Sequence, residues 1–163
     1  MASHARRWAA GAVLLAAAAL AGCASISPGM SREQVLAAWG KPTRSVPIPG
    51  GERLQYSQQP AGQQVFMVDL DAAGRVVRTR QVMNAQDFAR IGTSGDWTRA
   101  DVEREFGPPA EMGHVGSWDG PIMTYRWRAG MVDLYYWVYL DRAGVVRRAH
   151  EGTDWRNMRQ VSH

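Results

Sequence analysis

Residues 65–78 read VFMVDLDAAGRVVR, and residues 135–148 read YYWVYLDRAGVVRR. Val68, Leu70, Asp71, Ala73, Gly74, Val76 and Arg78 recur as Val138, Leu140, Asp141, Ala143, Gly144, Val146 and Arg148, at a spacing of 70. Each stretch runs from an apolar strand-like segment through Asp-x-Ala-Gly into a second run rich in valine. That order writes a β-hairpin, because side chains alternate between strand faces and the glycine supplies the positive φ of a tight turn. A hairpin written twice in one chain points to an internal duplication.

The copying extends upstream. MSREQVLAAWGKP at 30–42 is answered by WTRADVEREFGPP at 97–109, at a spacing of 67. In the first copy Ser31 is placed to cap a helix, and Gln34 completes a capping box. Met30 and Val35 can form a hydrophobic staple, and Trp39 follows Val35 on the same helical face. Gly40 is expected in a left-handed conformation past the helix end, and Pro42 blocks continuation. In the second copy Thr98 caps, Asp101 takes the box position, and Trp97 and Val102 make the staple. Phe106 stands for Trp39, and Gly107 with Pro109 end the helix. Leu54-Gln55-Tyr56 then matches Met123-Thr124-Tyr125. The drift in spacing from 67 to 70 places small loop insertions in the second copy.

Each unit thus reads as one helix and three strands, at 53–58, 64–71 and 75–82, then 121–128, 131–141 and 145–150. Gly50-Gly51 and Ala129-Gly130 mark further turns. Asn84 to Ile91 reads as a short helix capped by Asn84 and ended by Gly92, with a linker to Gly95. Units of about 65 residues are marginal alone. The expected fold is therefore α+β: two tandem helix–three-strand antiparallel meander units, with the helices packed on one sheet face. The first unit spans 30–83, the connection 84–95, the second unit 96–152 and a tail 153–163.

Alternation makes Phe66, Val68 and Leu70, with Tyr136, Val138 and Leu140, the expected core faces. The opposite faces carry Val65, Met67 and Asp69 in one copy and Tyr135, Trp137 and Tyr139 in the other. The aromatic triplet either faces solvent as a protein-contact surface or packs under the linker, the tail with Trp155, or the other unit. Arg148 matches Arg78, with His150 beyond. These arginines either meet an anionic lipid or acidic partner or are solvated charges that discourage sheet-to-sheet pairing. Asp69 and Asp71 are spaced as paired catalytic carboxylates would be. Asp71, however, is the turn residue echoed by Asp141, and Asp69 is echoed by Tyr139, so the structural reading is preferred.

The chain opens with Arg6 and Arg7 and an apolar run from Trp8 to Ala21, then Leu20-Ala21-Gly22-Cys23. A spanning helix needs about 20 apolar residues, and this run is shorter. The stretch resembles the lipobox of bacterial lipoproteins. That resemblance implies removal of residues 1–22 as a signal peptide, acylation of Cys23, and a tether at 23–29. An ordinary secretory signal with an incidental cysteine is the other reading. Residue 24 is alanine, not the aspartate linked with inner-membrane retention, which implies the outer membrane, facing the periplasm.

Composition narrows the chemistry. Cys23 is the sole cysteine, so no intrachain disulfide or cysteine-based metal site is expected. Nineteen basic residues face fifteen acids, and loss of Arg6 and Arg7 brings the net charge to about +2, which does not argue for nucleic acid. There is no G-x-S-x-G, P-loop, H-E-x-x-H or dinucleotide fingerprint. His114, His150 and His163 lack ligand-like spacing. No catalytic residue, metal or cofactor is expected.

The lipobox, followed by Pro28-Gly29-Met30-Ser31 and REQVLAAWGKP, resembles the SmpA/OmlA (BamE-like) family of outer-membrane lipoproteins. The hairpin at 65–78 and NAQDFARIG at 84–92 are similar to segments of that family. The resemblance covers nearly all of 23–152. It implies a non-enzymatic accessory or scaffolding factor in outer-membrane protein assembly or envelope integrity. Its partners would be the lipid membrane, through acylated Cys23, and envelope proteins including the β-barrel assembly complex. The tandem form is also similar to β-lactamase-inhibitor proteins. That likeness implies, as the alternative, a periplasmic inhibitor or sensor gripping its partner through an aromatic sheet face, here Tyr135, Trp137 and Tyr139 with Arg148.

Overall fold

A computed structural model describes residues 25–154. The expectations for the signal segment, for lipidation of Cys23 and for Trp155 lie outside those residues. Each unit begins with a short helix whose start is built from its own side chains. Ser31 Oγ accepts from the Gln34 N–H at 3.2 Å, and Gln34 Oε1 accepts from the Ser31 N–H at 2.8 Å. This box opens α1 (Arg32–Trp39). Thr98 and Asp101 repeat it at 3.3 and 2.8 Å, opening α3 (Arg99–Phe106). Both helices stop at a glycine of nearly the same conformation, Gly40 at φ 77°, ψ −163° and Gly107 at φ 78°, ψ −178°. The φ is positive as expected, but ψ is extended rather than left-handed helical, a region that glycine alone occupies readily.

The first sheet is an antiparallel meander of β1 (Arg44–Ile48), β2 (Gly51–Ser57), β3 (Val65–Asp71) and β4 (Val76–Gln81). A connection with the short helix α2 (Ala85–Phe88), capped by Asn84, leads to α3. The second sheet repeats the meander with β5 (Glu111–Gly113), β6 (Ile122–Ala129), β7 (Val132–Leu140) and β8 (Val146–Thr153). The hairpins agree in detail. Asp71 Oδ1 accepts from the N–H groups of Ala73 and Arg75 at 2.9 Å, and Asp141 Oδ1 does the same for Ala143 and Val145. The strand register shifts at Asp69/Leu70 and again at Tyr139/Leu140.

The α+β expectation is overturned. The described residues are mostly β, with two four-stranded sheets and helices of only 8, 4 and 8 residues. Sequence periodicity missed β1 because Pro47 interrupts its alternation. Proline is tolerated there because β1 is an edge strand, pairing with β2 alone. It missed β5 because three residues are too few to show a period.

The expectation of helices on one sheet face fails for a second reason. In the first sheet both faces are covered, and β3 is buried at every position except Phe66 and Asp71. One face joins Val35 in a cluster of Leu54, Val68, Leu70 and Val76. The other face turns toward α3. Val65 and Met67 share a second cluster with Val102 and Phe106 of α3 and with Met123, Tyr125, Val138 and Leu140 of the second sheet. The C-terminal end of α3 is hydrogen-bonded to the first sheet. Gln55 Nε2 donates to the Glu103 and Arg104 carbonyls at 2.9 and 3.1 Å, and Arg53 Nη1 donates to the Arg104 carbonyl at 3.0 Å. Carbonyls left over at a helix end need such partners when buried. The layers therefore run α1, first sheet, α3, second sheet, and the outer face of the second sheet ends the series.

Candidate functional site

That outer face carries the aromatic residues singled out from alternation. β7 and β8 pair Tyr135 with Gly152, Trp137 with His150 and Tyr139 with Arg148, so all six lie on one side of the sheet. Their rings touch in series. Tyr135 and Trp137 are 5.5 Å apart between centroids, and Trp137 and His150 are 5.3 Å apart. His150 stacks on Tyr139 at 5.3 Å, with Nε2 3.3 Å from the Tyr139 hydroxyl. The Arg148 guanidinium lies over the Tyr139 ring at 5.2 Å, a cation–π contact. Gly152 makes room for Trp137, since a Cβ there would sit 2.5 Å from the indole.

The stripe is not evenly open. Tyr135 is only 5% exposed and forms part of the floor. Trp137, Tyr139 and His150 are half-buried, and Arg148 is exposed. Loops flank the face. Trp118, before β6, meets Tyr139 edge-on at 5.2 Å and donates its indole N–H to the Leu140 carbonyl at 2.7 Å. Arg126 at the Tyr135 end is tied to Asp154 at 3.0 Å and to the Pro60 carbonyl at 2.8 Å. Sequence reading missed Trp118, whose loop position carries no periodic signal. It also passed over His150 as a stacking ring, although its pairing with Trp137 follows from the hairpin register.

Such a surface has the chemistry of a contact face. Aromatic rings offer large contact area with few rotamers to freeze, and an arginine over a ring adds a fixed positive charge. Among the described residues no group of three or more histidine, cysteine, aspartate or glutamate side chains could hold a metal ion.

The equivalent face of the first sheet is a different object. Asp69, in the place of Tyr139, is buried and receives Arg53 Nε at 2.5 Å, Arg53 Nη2 at 3.0 Å and Arg78 Nε at 2.9 Å. Arg53 Nη1 also reaches Glu105 of α3 at 3.1 Å. Burial works against ionisation of Asp69, yet the bonds and charge of Arg53, then those of Arg78, hold its pKa below the ordinary carboxylate value. Glu105 is likewise held low, burial being outweighed by Arg53 and Arg90. The pair Asp69 and Asp71 is therefore a structural anion and a turn residue. Arg78, though exposed, is held to Asp69, while its counterpart Arg148 lies over the Tyr139 ring.

The remaining motif residues do local work. Ser31 and Thr98 cap, Val35 and Val102 are fully buried, Gly40 and Gly107 end the helices, and Gly74 and Gly144 turn the hairpins at φ 73° and 78°. Pro42 and Pro109 follow the two helix ends. None of them reaches the aromatic face.

No protein-family model and no curated protein matches the sequence. Two solved structures are similar in part. One is a DUF4309 family protein, YjgB, from Bacillus subtilis, at 16% identity over 76% of this chain and 78% of that one, with a TM-score of 0.29. The other is an extracellular protein containing a SCP domain from Bacillus anthracis, at 17% identity over 82% of this chain and 46% of that one, with a TM-score of 0.30. Scores this low carry neither a fold assignment nor a function.

Proposed function

We propose that this chain is an outer-membrane lipoprotein, anchored through acylated Cys23 and facing the periplasm, that acts without turnover as an accessory or scaffolding factor. Its work would be in outer-membrane protein assembly or envelope integrity, as the resemblance to the SmpA/OmlA family implies. The observation that carries the contact surface is the Trp137–His150–Tyr139–Arg148 cluster on the outer face of the second sheet. The first sheet uses the equivalent face to seat α3, and a protein partner would use the second sheet in the same way. Acyl chains contribute about 0.8 kcal/mol per buried methylene, so the membrane term comes from the anchor and the protein term from the sheet.

The test is site-specific photocrosslinking of the full acylated chain in its own membrane. A crosslinker at position 148 should yield discrete protein adducts, including barrel-assembly subunits, and one at exposed Arg75 should not. Equal labelling from both positions, or a mature chain without lipid on Cys23, would overturn the reading. The alternative, a periplasmic inhibitor or sensor, rests on the same aromatic face. It predicts a soluble enzyme as the adduct, with activity suppressed by the purified protein.

A further inference from the structure

Among the described residues, the duplication leaves one groove filled in the second unit and open in the first. In the second unit Phe106 of α3, Tyr125 and Trp127 of β6, and Tyr136 of β7 surround the ring of Phe88. Phe88 comes from α2, in the connection, and is 1% exposed. It stacks on Tyr136 at 4.1 Å and on Phe106 at 5.2 Å, meets Trp127 edge-on at 5.6 Å and lies 6.4 Å from Tyr125. The Tyr125 hydroxyl donates to the Gly107 carbonyl at 2.8 Å.

The first unit has the same frame. Trp39, Tyr56, Gln58 and Phe66 occupy the matching positions, and the Tyr56 hydroxyl donates to the Gly40 carbonyl at 3.0 Å. Trp39 stands edge-on to Tyr56 at 5.3 Å and to Phe66 at 5.5 Å. These residues line an open groove of about 440 Å³, within the size range of ligand clefts. Among the described residues no ring takes the place of Phe88 there. The position 67 residues before Phe88 is Ala21, outside the described residues, and the chain has no aromatic residue between Trp8 and Trp39.

We propose that the first-unit groove is a receptor for a phenylalanine side chain of a partner polypeptide, inserted as Phe88 is inserted in the second unit. Lys41, the only lysine in the chain, is exposed and lines the same groove. It fits a carboxylate beside the inserted ring. The chain's own plug has this form, since Asp87 precedes Phe88 and is ion-paired to Arg80 at 3.0 Å. The occupant is thus a short acidic–phenylalanine segment. The groove lies on the α1 side of the first sheet, so this inference stands apart from the aromatic face of the second sheet.

The experiment titrates the full mature chain in detergent micelles with the blocked heptapeptide NAQDFAR, following the Trp39 and Trp137 indole N–H signals by NMR. A saturable shift of Trp39, absent with NAQDAAR, is expected. Lys41→Glu should weaken NAQDFAR by about 2- to 5-fold, the worth of an exposed ion pair, and should reverse the preference toward NAQKFAR. Lys41 is exposed, so the variant keeps the fold. No saturable shift, an equal response to NAQDAAR, or shifts at Trp137 alone would overturn the inference. The last result would leave the proposed function standing.

Discussion

Replacing Asp69 with leucine tests whether the face of the first sheet that seats α3 is held by a buried charge network rather than by apolar contact alone. Asp69 and Arg53 are 4% and 3% exposed and share two hydrogen bonds, at 2.5 and 3.0 Å. Loss of the carboxylate strands the Arg53 guanidinium in a site closed to water. Breaking such a pair from one side costs about 3–5 kcal/mol. Arg53 keeps Glu105 at 3.1 Å and the Arg104 carbonyl at 3.0 Å, which places the expected cost at the low end, about 3 kcal/mol. Arg78 adds little, because its own side chain is 55% exposed. The assay is equilibrium unfolding in urea, comparing Asp69→Leu with the double variant Arg53→Met/Asp69→Leu. Removing both charges leaves no stranded ion, so the double variant should recover at least half of the loss. A single-variant cost under about 1 kcal/mol, or a double variant less stable than the single, would refute the reasoning.

The same carboxyl sets the sign of the acid response: its pKa is depressed in the fold, so its contribution is complete above its ordinary value, about 4, and is lost as pH falls through the folded value. Asp69→Leu should therefore flatten the stability-against-pH curve below about pH 4, as read by thermal unfolding across that range. Phe88→Ala should cost about 3–5 kcal/mol, because the ring is buried among four others and the vacated space cannot collapse; urea unfolding measures it. Gly107→Ala should cost about 1–3 kcal/mol through backbone strain alone, since its Cβ would meet Val65 at an ordinary 3.6 Å; the unfolding midpoint checks it. Tyr139→Ala should cut the adducts formed by a crosslinker at position 148 and cost about 0.5–3 kcal/mol, since its half-buried ring packs on Trp118 and His150; adduct yield and urea unfolding check the two.

The devices legible in sequence are those whose causes lie within a few residues. The Ser31–Gln34 and Thr98–Asp101 boxes, the Asp71 and Asp141 turns and the six longer strands all stand where pattern places them. β1 and β5 were hidden, the first by Pro47 and the second by brevity. The aromatic face was legible as an alternation at 135, 137 and 139. The burial of Tyr135 and the stacking of Trp118 and His150 were not, because each depends on a register or a loop that pattern does not encode.

The chain on its own determined that one sequence pattern is written twice, where α1 and α3 start and stop, and which residues share a strand face; α2, expected to reach Ile91, ends at Phe88. Those features follow from hydrogen bonds and φ angles set by neighbours in sequence. Only the tertiary structure decided what covers each face. Two equivalent positions, Asp69 and Tyr139, became a buried anion and a half-buried outer-face ring because α3 comes after the first sheet and packs against it. Among the described residues, two equivalent grooves became one filled and one open because Phe88 enters the second. Burial depends on what else the chain brings to the same place, and that is a property of the whole fold.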